Sequence, residues 1–175
     1  MTDGEKQIRL AEYDPSWPDQ FAVHAAAIIA ALGDQAQRIE HIGSTSVPGL
    51  IAKAKVDMLL VVPNSADEPA YLPQMEAAGY EFRIREPHWH EHRLFSPPDR
   101  KANIHVVSRG CIEIERWLTF RDRLRSDAGD RELYASTKRE LARQRWRDTN
   151  AYADAKSDVI ERIIARARSE DGITP

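Results

Sequence analysis

The sequence has a single cysteine among its 175 residues, Cys111, so no disulfide can form within the chain. A lone thiol fits a reducing compartment, and we expect a cytoplasmic protein. No apolar run approaches the ~20 residues of a membrane-spanning helix, so we expect no membrane partner. The first residues, Met-Thr-Asp-Gly-Glu-Lys, lack the apolar stretch of a secretion signal, which argues against export.

An excess of positive charge is also missing. The chain carries 25 Lys and Arg against 28 Asp and Glu, a formal net charge of −3. This balance gives no electrostatic footprint for non-specific nucleic-acid binding, although it is compatible with a local basic pocket. With 42% hydrophobic and 30% charged residues, the composition is typical of a globular protein. The length predicts one domain over residues 1–175, and nothing in these patterns bears on the oligomeric state.

What the sequence does contain is a run of strands followed by a run of helices. Gly33 ends the first helix, whose face of Trp17, Phe21, Ala25, Ile28 and Leu32 repeats every three or four residues. This order predicts an α+β fold, a small mixed β-sheet with helices packed on it and a helical C-terminal third. The predicted strands are 8–13, 36–42, 56–62, 80–85 and 102–108, and the predicted helices are 14–32, 69–78, 112–126, 130–148 and 150–168.

The most informative segment is residues 39–62. It predicts a strand, a Gly43-Ser44-Thr45 turn, an irregular linker, and a second, buried strand. Such a turn exposes backbone N–H groups and hydroxyls, which suit a phosphate group. Asp57 lies in the second, otherwise apolar strand, where an ionised carboxylate is costly without a cation or hydrogen-bond donors. A phosphate-binding turn followed by a metal-binding acid is the order used by nucleotidyltransferases.

These residues resemble the GrpB family, a branch of the polymerase-beta-like nucleotidyltransferase superfamily. The resemblance continues in residues 103–107 and 120–125 and reaches the last helix through Tyr152 and Lys156, so that it covers residues 8–167. It implies a nucleotidyltransferase-like fold and the transfer of a nucleoside monophosphate from NTP and Mg²⁺ to an acceptor. The expected cofactor is therefore Mg²⁺, and the expected partners are a nucleotide and an unidentified small molecule.

The resemblance also implies roles for individual residues. Asp57 corresponds to the metal ligand, but the second acid that usually follows two residues later is replaced by Leu59. The strand that normally supplies a third acid carries His105. We expect His105, or His41 before the turn, to assist proton transfer. The alternative is a module of the same fold that binds a nucleotide or phosphate without catalysis, with these side chains in structural roles.

Cations on the inner faces of the C-terminal helices complete the predicted phosphate site. Lys156 interrupts an apolar stripe, Lys138 lies beside Tyr134, and Arg121 falls between Trp117 and Leu124 on the same helical face. We expect Lys138, Lys156 and Arg121 to bind phosphate together with Gly43, Ser44 and Thr45. The alternative is that the cations form buried ion pairs with Asp122, Asp154 or Asp158.

Three alternating histidines form the last candidate site. His88, His90 and His92 would share one face of an extended strand, and two such histidines with a third ligand can hold zinc. Nearby prolines instead favour a solvated loop or frayed hairpin over residues 86–101, with a short strand at 93–95 as an alternative within it. A histidine-rich metalloenzyme is therefore a further alternative. Cys111 is interpreted as a small residue before a helix, because no histidine motif frames it as a catalytic thiol.

Overall fold

The computed structural model describes residues 6–170 and Gly172. None of the helices in this part of the chain is long and apolar enough to cross a membrane. The elements in chain order are β1 (Lys6–Gln7), α1 (Trp17–Leu32), β2 (Arg38–Ile42), β3 (Val56–Val62), α2 (Leu72–Ala77), β4 (Glu81–Glu86), β5 (His92–Ser96), β6 (Ala102–Ser108), α3 (Ile112–Ser126), α4 (Ala128–Ala142), β7 (Arg145–Trp146), α5 (Thr149–Asp154) and α6 (Ser157–Glu170).

Five strands form a mixed sheet in the order β2-β3-β6-β5-β4. The neighbours β3 and β6 are parallel, and the remaining pairs are antiparallel. Strand β3 lies inside the sheet and is covered on both faces, which explains its nearly continuous apolar sequence. The predicted α+β class, with a mixed sheet and a helical C-terminal part, is confirmed.

The two faces of the sheet have separate cores, because successive side chains of a strand point to opposite sides. Met58 and Leu60 of β3 pack toward α1 and α2, in a cluster with Ile28 and Tyr71. Leu59 of β3 points the other way and packs against α3. A third cluster joins the linker after β2 to the C-terminal helices, through Val47, Leu50, Ile51, Leu124, Tyr134, Ala135, Val159 and Ile163. This cluster holds the linker between the sheet and helices α3, α4 and α6.

Three predicted elements differ from the structure by more than a few residues at an end. The strand predicted at 8–13 is replaced by the short strand β1, which pairs with β7, and by one bridge between Ala11 and Ala52. The helix predicted at 130–148 ends at Ala142, since β7 follows it. The helix predicted at 150–168 is interrupted between α5 and α6. The carboxylate of Asp148 accepts a hydrogen bond from the Ala151 N–H and so caps a new, short helix α5.

The hairpin of β4 and β5 also departs from the sequence-based expectation. Residues 92–96 pair with β4 on one side and with β6 on the other, so the short strand considered at 93–95 is present and longer, in place of the predicted loop or frayed hairpin. The buried aromatic ring of Phe95 packs on Phe82 and Tyr71, and this contact stabilises the hairpin despite the flanking prolines.

Candidate functional site

A cavity of about 780 Å³ lies between the sheet and the C-terminal helices. We call it the central cavity. Most of the predicted site residues line it, namely Gly43, Ser44, Thr45, Asp57, His105, Lys138 and Lys156. The two predicted residues that do not line it are His41 and Arg121.

Gly43 is pressed against Asp57 at the wall of the cavity. Strand β2 ends at Ile42, which pairs with Asp57 across the antiparallel ladder. The next residue, Gly43, has φ of +69°, and a Cβ atom there would lie 2.9 Å from Oδ2 of Asp57. Both the backbone conformation and the close approach therefore require glycine. The turn and the acid, separated in sequence, form one site.

His41 contacts the rest of the turn on the side away from the cavity. Residues Ser44–Ser46 form a 3₁₀ turn, and Oγ1 of Thr45 lies 2.9 Å from Nε2 of His41. The His41 ring is buried and stacks on Phe21, with 4.9 Å between ring centroids. Burial and the nearby charge of Arg125 lower the pKa of His41 to about 4. His41 is thus a neutral support for the turn and has no face on the cavity.

The Asp57 carboxylate is ionised and partly open to the cavity, with 33% of the side chain exposed. Its Oδ1 accepts a hydrogen bond from the Asn103 amide at 3.0 Å, and Nε2 of His105 lies 3.7 Å from the same oxygen. Burial acts to raise the pKa of Asp57, but His105, Asn103 and the charge of Lys53 outweigh it, and the pKa is lowered. Oδ2 lies toward Gly43 and the turn.

His105 is the inner end of a hydrogen-bonded series that begins at Glu86. Oε2 of Glu86 lies 2.6 Å from Nδ1 of His92, and Nε2 of His92 lies 3.0 Å from Nδ1 of His105. Only 5% of the His92 side chain is exposed. Burial, and then the neighbouring His105, lower the pKa of His92 to about 4, although Glu86 opposes this shift. His92 is therefore a buried, neutral partner of a site residue.

The prediction of a solvated histidine loop is wrong at His92. His88 and His90 do lie in the exposed turn between β4 and β5, but the backbone there turns through positive φ at His90 and Glu91, so the three histidines share no face. Among residues 6–170 and 172, no group of three or more His, Cys, Asp or Glu side chains is arranged to hold a metal ion. The run Arg93-Leu94-Phe95, directly after His92, is the signal that places this histidine in a strand.

Four lysines line the cavity, and we call the three whose pKa is lowered, Lys53, Lys138 and Lys156, the cavity lysines. Lys138 donates to Oγ of Ser44 at 2.9 Å and to the Ile51 carbonyl, and its Nζ lies 4.8 Å from the Tyr134 ring centroid. Lys53 and Lys156 both lie over the Tyr152 ring, at 5.7 and 4.5 Å. Lys53 was not among the predicted phosphate-binding residues, because the irregular linker around it shows no helical or strand periodicity.

The cavity lysines are desolvated and repel one another. Burial lowers the pKa of Lys138 to about 7, and Lys156 adds to the shift. Burial and the charge of Lys53 lower the pKa of Lys156 to about 8. Within the part of the chain that the structure describes, none of the three forms an ion pair with a carboxylate. The charge of Asp57 opposes the pKa shifts of Lys53 and Lys156 without offsetting them, so the site keeps an excess of positive charge, which is the arrangement expected where a polyanion binds.

Arg121 forms a buried ion pair, which is the alternative that the sequence analysis gave for it. Its guanidinium donates to Oε2 of Glu40 at 2.6 Å, to Oδ1 of Asp122 at 2.8 Å and to the His41 carbonyl at 3.2 Å. This network joins α3 to β2 behind the turn. A phosphate role for Arg121 does not match this position, because its Nε and Nη1 donors are used by these partners and the side chain does not line the central cavity.

Beyond His105 the cavity wall is aromatic. Trp117 of α3 lies 5.7 Å from His105 and 6.2 Å from Trp89, measured between ring centroids. Trp89 is 40% exposed. The cavity thus has a cationic side and an aromatic side, with Asp57 and His105 between them. No local sequence pattern predicts the aromatic side, because a turn and a distant helix contribute its two rings.

Leu59, at the position of the usual second acid, is fully buried. It packs with Ile114 and Leu118 and is paired with His105 across β3 and β6. The local core replaces a second carboxylate, so Asp57 is the only acid that β3 contributes to this cavity.

Comparisons with known proteins agree with this architecture. The family model described as GrpB protein matches residues 7–166. A UPF0157 protein of Halalkalibacterium halodurans is 52% identical over 162 residues, which cover 93% of this chain and 83% of that protein. The crystal structure of conserved protein GrpB from Enterococcus faecalis has a TM-score of 0.81 at 30% identity, covering 93% of this chain and 98% of that one.

A more distant likeness concerns the fold alone. The Cid1 poly(U) polymerase, in a structure with Mg 3′-dATP bound, has a TM-score of 0.54 at 9% identity, covering 74% of this chain and 43% of that one. The nucleotidyltransferase-like fold predicted from the sequence is therefore confirmed.

Proposed function

The chain belongs to the GrpB family, and from that premise we propose that it is a nucleotidyltransferase, which moves a nucleoside monophosphate from an NTP to a small-molecule acceptor. One observation carries the proposal. The Gly43 turn is pressed against the Asp57 carboxylate at the wall of a cavity that also holds unpaired lysines. The Mg 3′-dATP bound to Cid1, a protein of the same fold, is consistent with it.

In this proposal the triphosphate occupies the cationic side. The N–H groups and hydroxyls of Ser44 and Thr45 contact phosphate oxygens, and Lys138, Lys156 and Lys53 supply the opposing charge. Burial lowers the pKa of Lys138 to about 7 and of Lys156 to about 8, so the anion itself favours their charged forms. The nucleotide therefore completes the electrostatics of the site.

The Asp57 carboxylate fits a divalent cation. It is an oxygen ligand, ionised, partly exposed to the cavity and beside the phosphate turn, and Mg²⁺ is commonly held by one or two carboxylates plus substrate phosphates. When bound, the cation would neutralise charge on the phosphates. Asn103 holds the carboxylate in place by its hydrogen bond to Oδ1.

The proposed reaction is an in-line displacement at the α-phosphorus. The acceptor oxygen or nitrogen forms a bond to this phosphorus, the bond to the bridging oxygen of the β-phosphate breaks, and pyrophosphate leaves. The acceptor proton passes to water in the open cavity. The residues act by positioning and charge stabilisation, and the acceptor approaches from the aromatic side, past His105.

The proposal is tested by pyrophosphate release from each NTP over a panel of hydroxyl and amine acceptors. We expect turnover that is lost in Asp57→Asn and in Lys156→Ala and retained in Asp19→Asn, an exposed control on α1. Mg²⁺ with NTP should also raise the melting temperature of the wild type but not of Asp57→Asn. An equal thermal response in both proteins would assign Asp57 to structure and contradict the proposal.

A second candidate function is a binding module that keeps the nucleotide site without catalysis. The observation that favours it is Leu59, buried where the superfamily has a second acid. Tight nucleotide binding with no pyrophosphate release for any acceptor would select this module. Absence of nucleotide binding would eliminate both functions.

A further inference from the structure

In the proposed function the triphosphate occupies the cationic side of the central cavity and leaves the aromatic side to the acceptor. Trp89 and Trp117 both line this aromatic side. Their ring centroids are 6.2 Å apart, and the two rings are inclined at 55°. Trp89 is 40% exposed, so the protein does not cover this apolar surface itself. Exposed aromatic surface on the wall of a cavity is typical of a ligand-binding site.

Each of these tryptophans has an acid close by in the same part of the chain. Helix α3 carries Glu113 and Trp117, whose spacing of four residues puts them on one helical face. Glu86 is the last residue of β4, and Trp89 follows it in the turn to β5. Both glutamates line the central cavity, as both tryptophans do. The aromatic side therefore combines two rings with two carboxylates.

The Glu113 carboxylate has no hydrogen-bond partner in the part of the chain that the structure describes. Only 13% of its side chain is exposed, and it lies 3.4 Å from Nε of Arg116 and 3.9 Å from Nε2 of His90. Neither contact has the geometry of a hydrogen bond. A mostly buried carboxylate without a donor is costly, so a cationic donor supplied by a ligand would stabilise it.

The charges around Glu113 leave this side of the cavity negative. Arg116 also lines the cavity, but both of its Nη atoms donate to Glu161, which does not line it. The charge of Arg116 is thus offset by Glu161. The second acid, Glu86, contacts His92 through Oε2, and its side chain is 46% exposed. Two carboxylates on an aromatic wall suit a cation, whereas the cavity lysines on the other side suit an anion.

We propose that the aromatic side of the central cavity binds the protonated amine of a small amino alcohol, which in the proposed function is the acceptor. The ammonium group lies against the two tryptophan rings and donates to Glu113 and Glu86. A cation is attracted to an aromatic ring within about 6 Å of the ring centroid, and centroids 6.2 Å apart allow one ammonium group to contact both rings. The role as acceptor rests on the proposed function, whereas the binding of the amine does not.

The amine recognises the acceptor and does not react. A protonated amine has no lone pair, so the nucleophile must be the hydroxyl group of the same molecule. Its oxygen forms the bond to the α-phosphorus, the bond from this phosphorus to the bridging oxygen of the β-phosphate breaks, and pyrophosphate leaves. The hydroxyl proton passes to water, and the ammonium group is unchanged. Trp89, Trp117, Glu86 and Glu113 are therefore specificity-determining residues for the acceptor.

The nucleobase is the competing occupant of the aromatic side. A planar base held between two rings needs them parallel and roughly 7 Å apart, which is twice the contact distance between stacked atoms. The rings of Trp89 and Trp117 are closer than this and inclined at 55°. We therefore expect Trp89→Leu to bind ATP as the wild type does. A loss of ATP affinity as large as its loss of affinity for an amino alcohol would assign this side to the base and overturn the inference.

Binding of aminopentanol to the free protein tests the amine site without turnover, and the uncharged pentanediol is the matched probe. The side-chain N–H signals of the tryptophans, followed by nuclear magnetic resonance, report where each probe binds. Aminopentanol should shift the signals of Trp89 and Trp117 but not that of Trp17, which is buried in another core. Its affinity should exceed that of pentanediol by ~10-fold. Equal affinities, or shifts that miss both cavity tryptophans, would overturn the inference.

Variants of one acid and one ring separate the effect of charge from that of shape. Glu113→Gln should weaken aminopentanol binding by ~10-fold and leave pentanediol binding unchanged. Trp89→Leu should weaken aminopentanol binding by ~5-fold, whereas Trp89→Phe, which keeps a ring, should retain most of the affinity. Glu115→Gln is the matched control and should bind as the wild type does, since Glu115 is an exposed acid of the same helix that does not line the central cavity.

Circular dichroism and thermal melting must show that each variant is folded. Aminopentanol binding that is unchanged in folded Glu113→Gln and in folded Trp89→Leu would overturn the inference.

Pyrophosphate release separates this inference from the proposed function. With ATP present, amino alcohols of increasing chain length should be better acceptors than diols of the same length. Release that is equally fast with the diols would overturn the inference and leave the proposed function standing. Specific binding of aminopentanol at Trp89 and Trp117, without pyrophosphate release from any NTP, would sink the proposed function and support the amine site.

Discussion

The inward-facing cations of this protein fall into two groups with opposite electrostatics. Three of the four arginines of α3, Arg116, Arg121 and Arg123, which we call the α3 arginines, each contact at least two carboxylates, and the pKa of each is raised. The fourth, Arg125, is 40% exposed, and burial and the charge of Arg121 lower its pKa. The cavity lysines have no carboxylate partner among the described residues, and the pKa of each is lowered. A cation whose desolvation is offset by a protein carboxylate stabilises the fold, whereas one left uncompensated destabilises it unless a ligand binds.

The largest expected effect is a loss of stability when the α3 arginines lose a carboxylate partner. Asp130 is 1% exposed and accepts from Arg123 and Arg166, each at 2.6 Å. Asp130→Ala removes the buried carboxylate that joins Arg123 to Arg166, while Asp127 and Glu170 still pair with Arg123. We expect a loss of about 1.5–3 kcal/mol in the free energy of unfolding, the range for hydrogen bonds to a charged group. Urea unfolding measures it. Asp122→Asn, an exposed partner of Arg121, should cost less than about 1 kcal/mol.

Equal and small losses in the two variants would mean that the arginine pairs contribute little. NTP binding by folded Asp130→Ala should match the wild type, because Asp130 is not among the residues that line the central cavity.

At the cavity lysines we expect the reverse, namely no loss of stability but a loss of affinity for the ligand. Lys156→Met removes an uncompensated charge and keeps the apolar stem over Tyr152, so the free energy of unfolding should stay the same or rise. The affinity for ATP should fall by about 10-fold or more, the value of one charge-assisted hydrogen bond. Isothermal titration calorimetry measures this, with the exposed Lys101→Met as control. A destabilised Lys156→Met with unchanged ATP affinity would assign Lys156 to the fold.

A smaller effect is expected on the pH dependence of stability. The pKa of Lys138 is lowered from 10.5 to about 7 and that of Lys156 to about 8, so between these values and 10.5 the unfolded chain binds more protons than the folded one. Stability contributed by these groups must therefore rise with pH over this window. Urea unfolding at pH 7, 8.5 and 10 should show a shallower rise in Lys156→Met. Parallel curves for the two proteins would contradict the assignment.

Part of this site could be predicted from the sequence because its signals are local. The glycine turn, the acid in an apolar strand and the lysines inside apolar helical stripes are each visible within one element. The resemblance to a family then joined Asp57 to the turn. The structure places Gly43, Asp57, Lys138 and Lys156 on the walls of one cavity.

The rest depends on pairings between distant elements. Arg121 and Lys138 occupy similar positions on their helices, but only Arg121 meets Glu40, which β2 supplies. The contact of His92 with His105 exists because β5 pairs with β6, whereas the sequence indicated a short strand only from Arg93, after this histidine. No local pattern distinguishes a cation that is paired across the fold from one that is not.

The proposed nucleotide site is formed by the cavity lysines and not by the α3 arginines. The decisive measurement is calorimetric titration of ATP at pH 8 in two buffers of different protonation enthalpy. We expect one site in the wild type, with uptake of protons because the polyanion raises the pKa values of Lys138 and Lys156. Binding and uptake should both be lost in Lys138→Met with Lys156→Met and kept in Asp122→Asn. ATP binding that survives unchanged in the double lysine variant, or no binding to the wild type, would contradict the account.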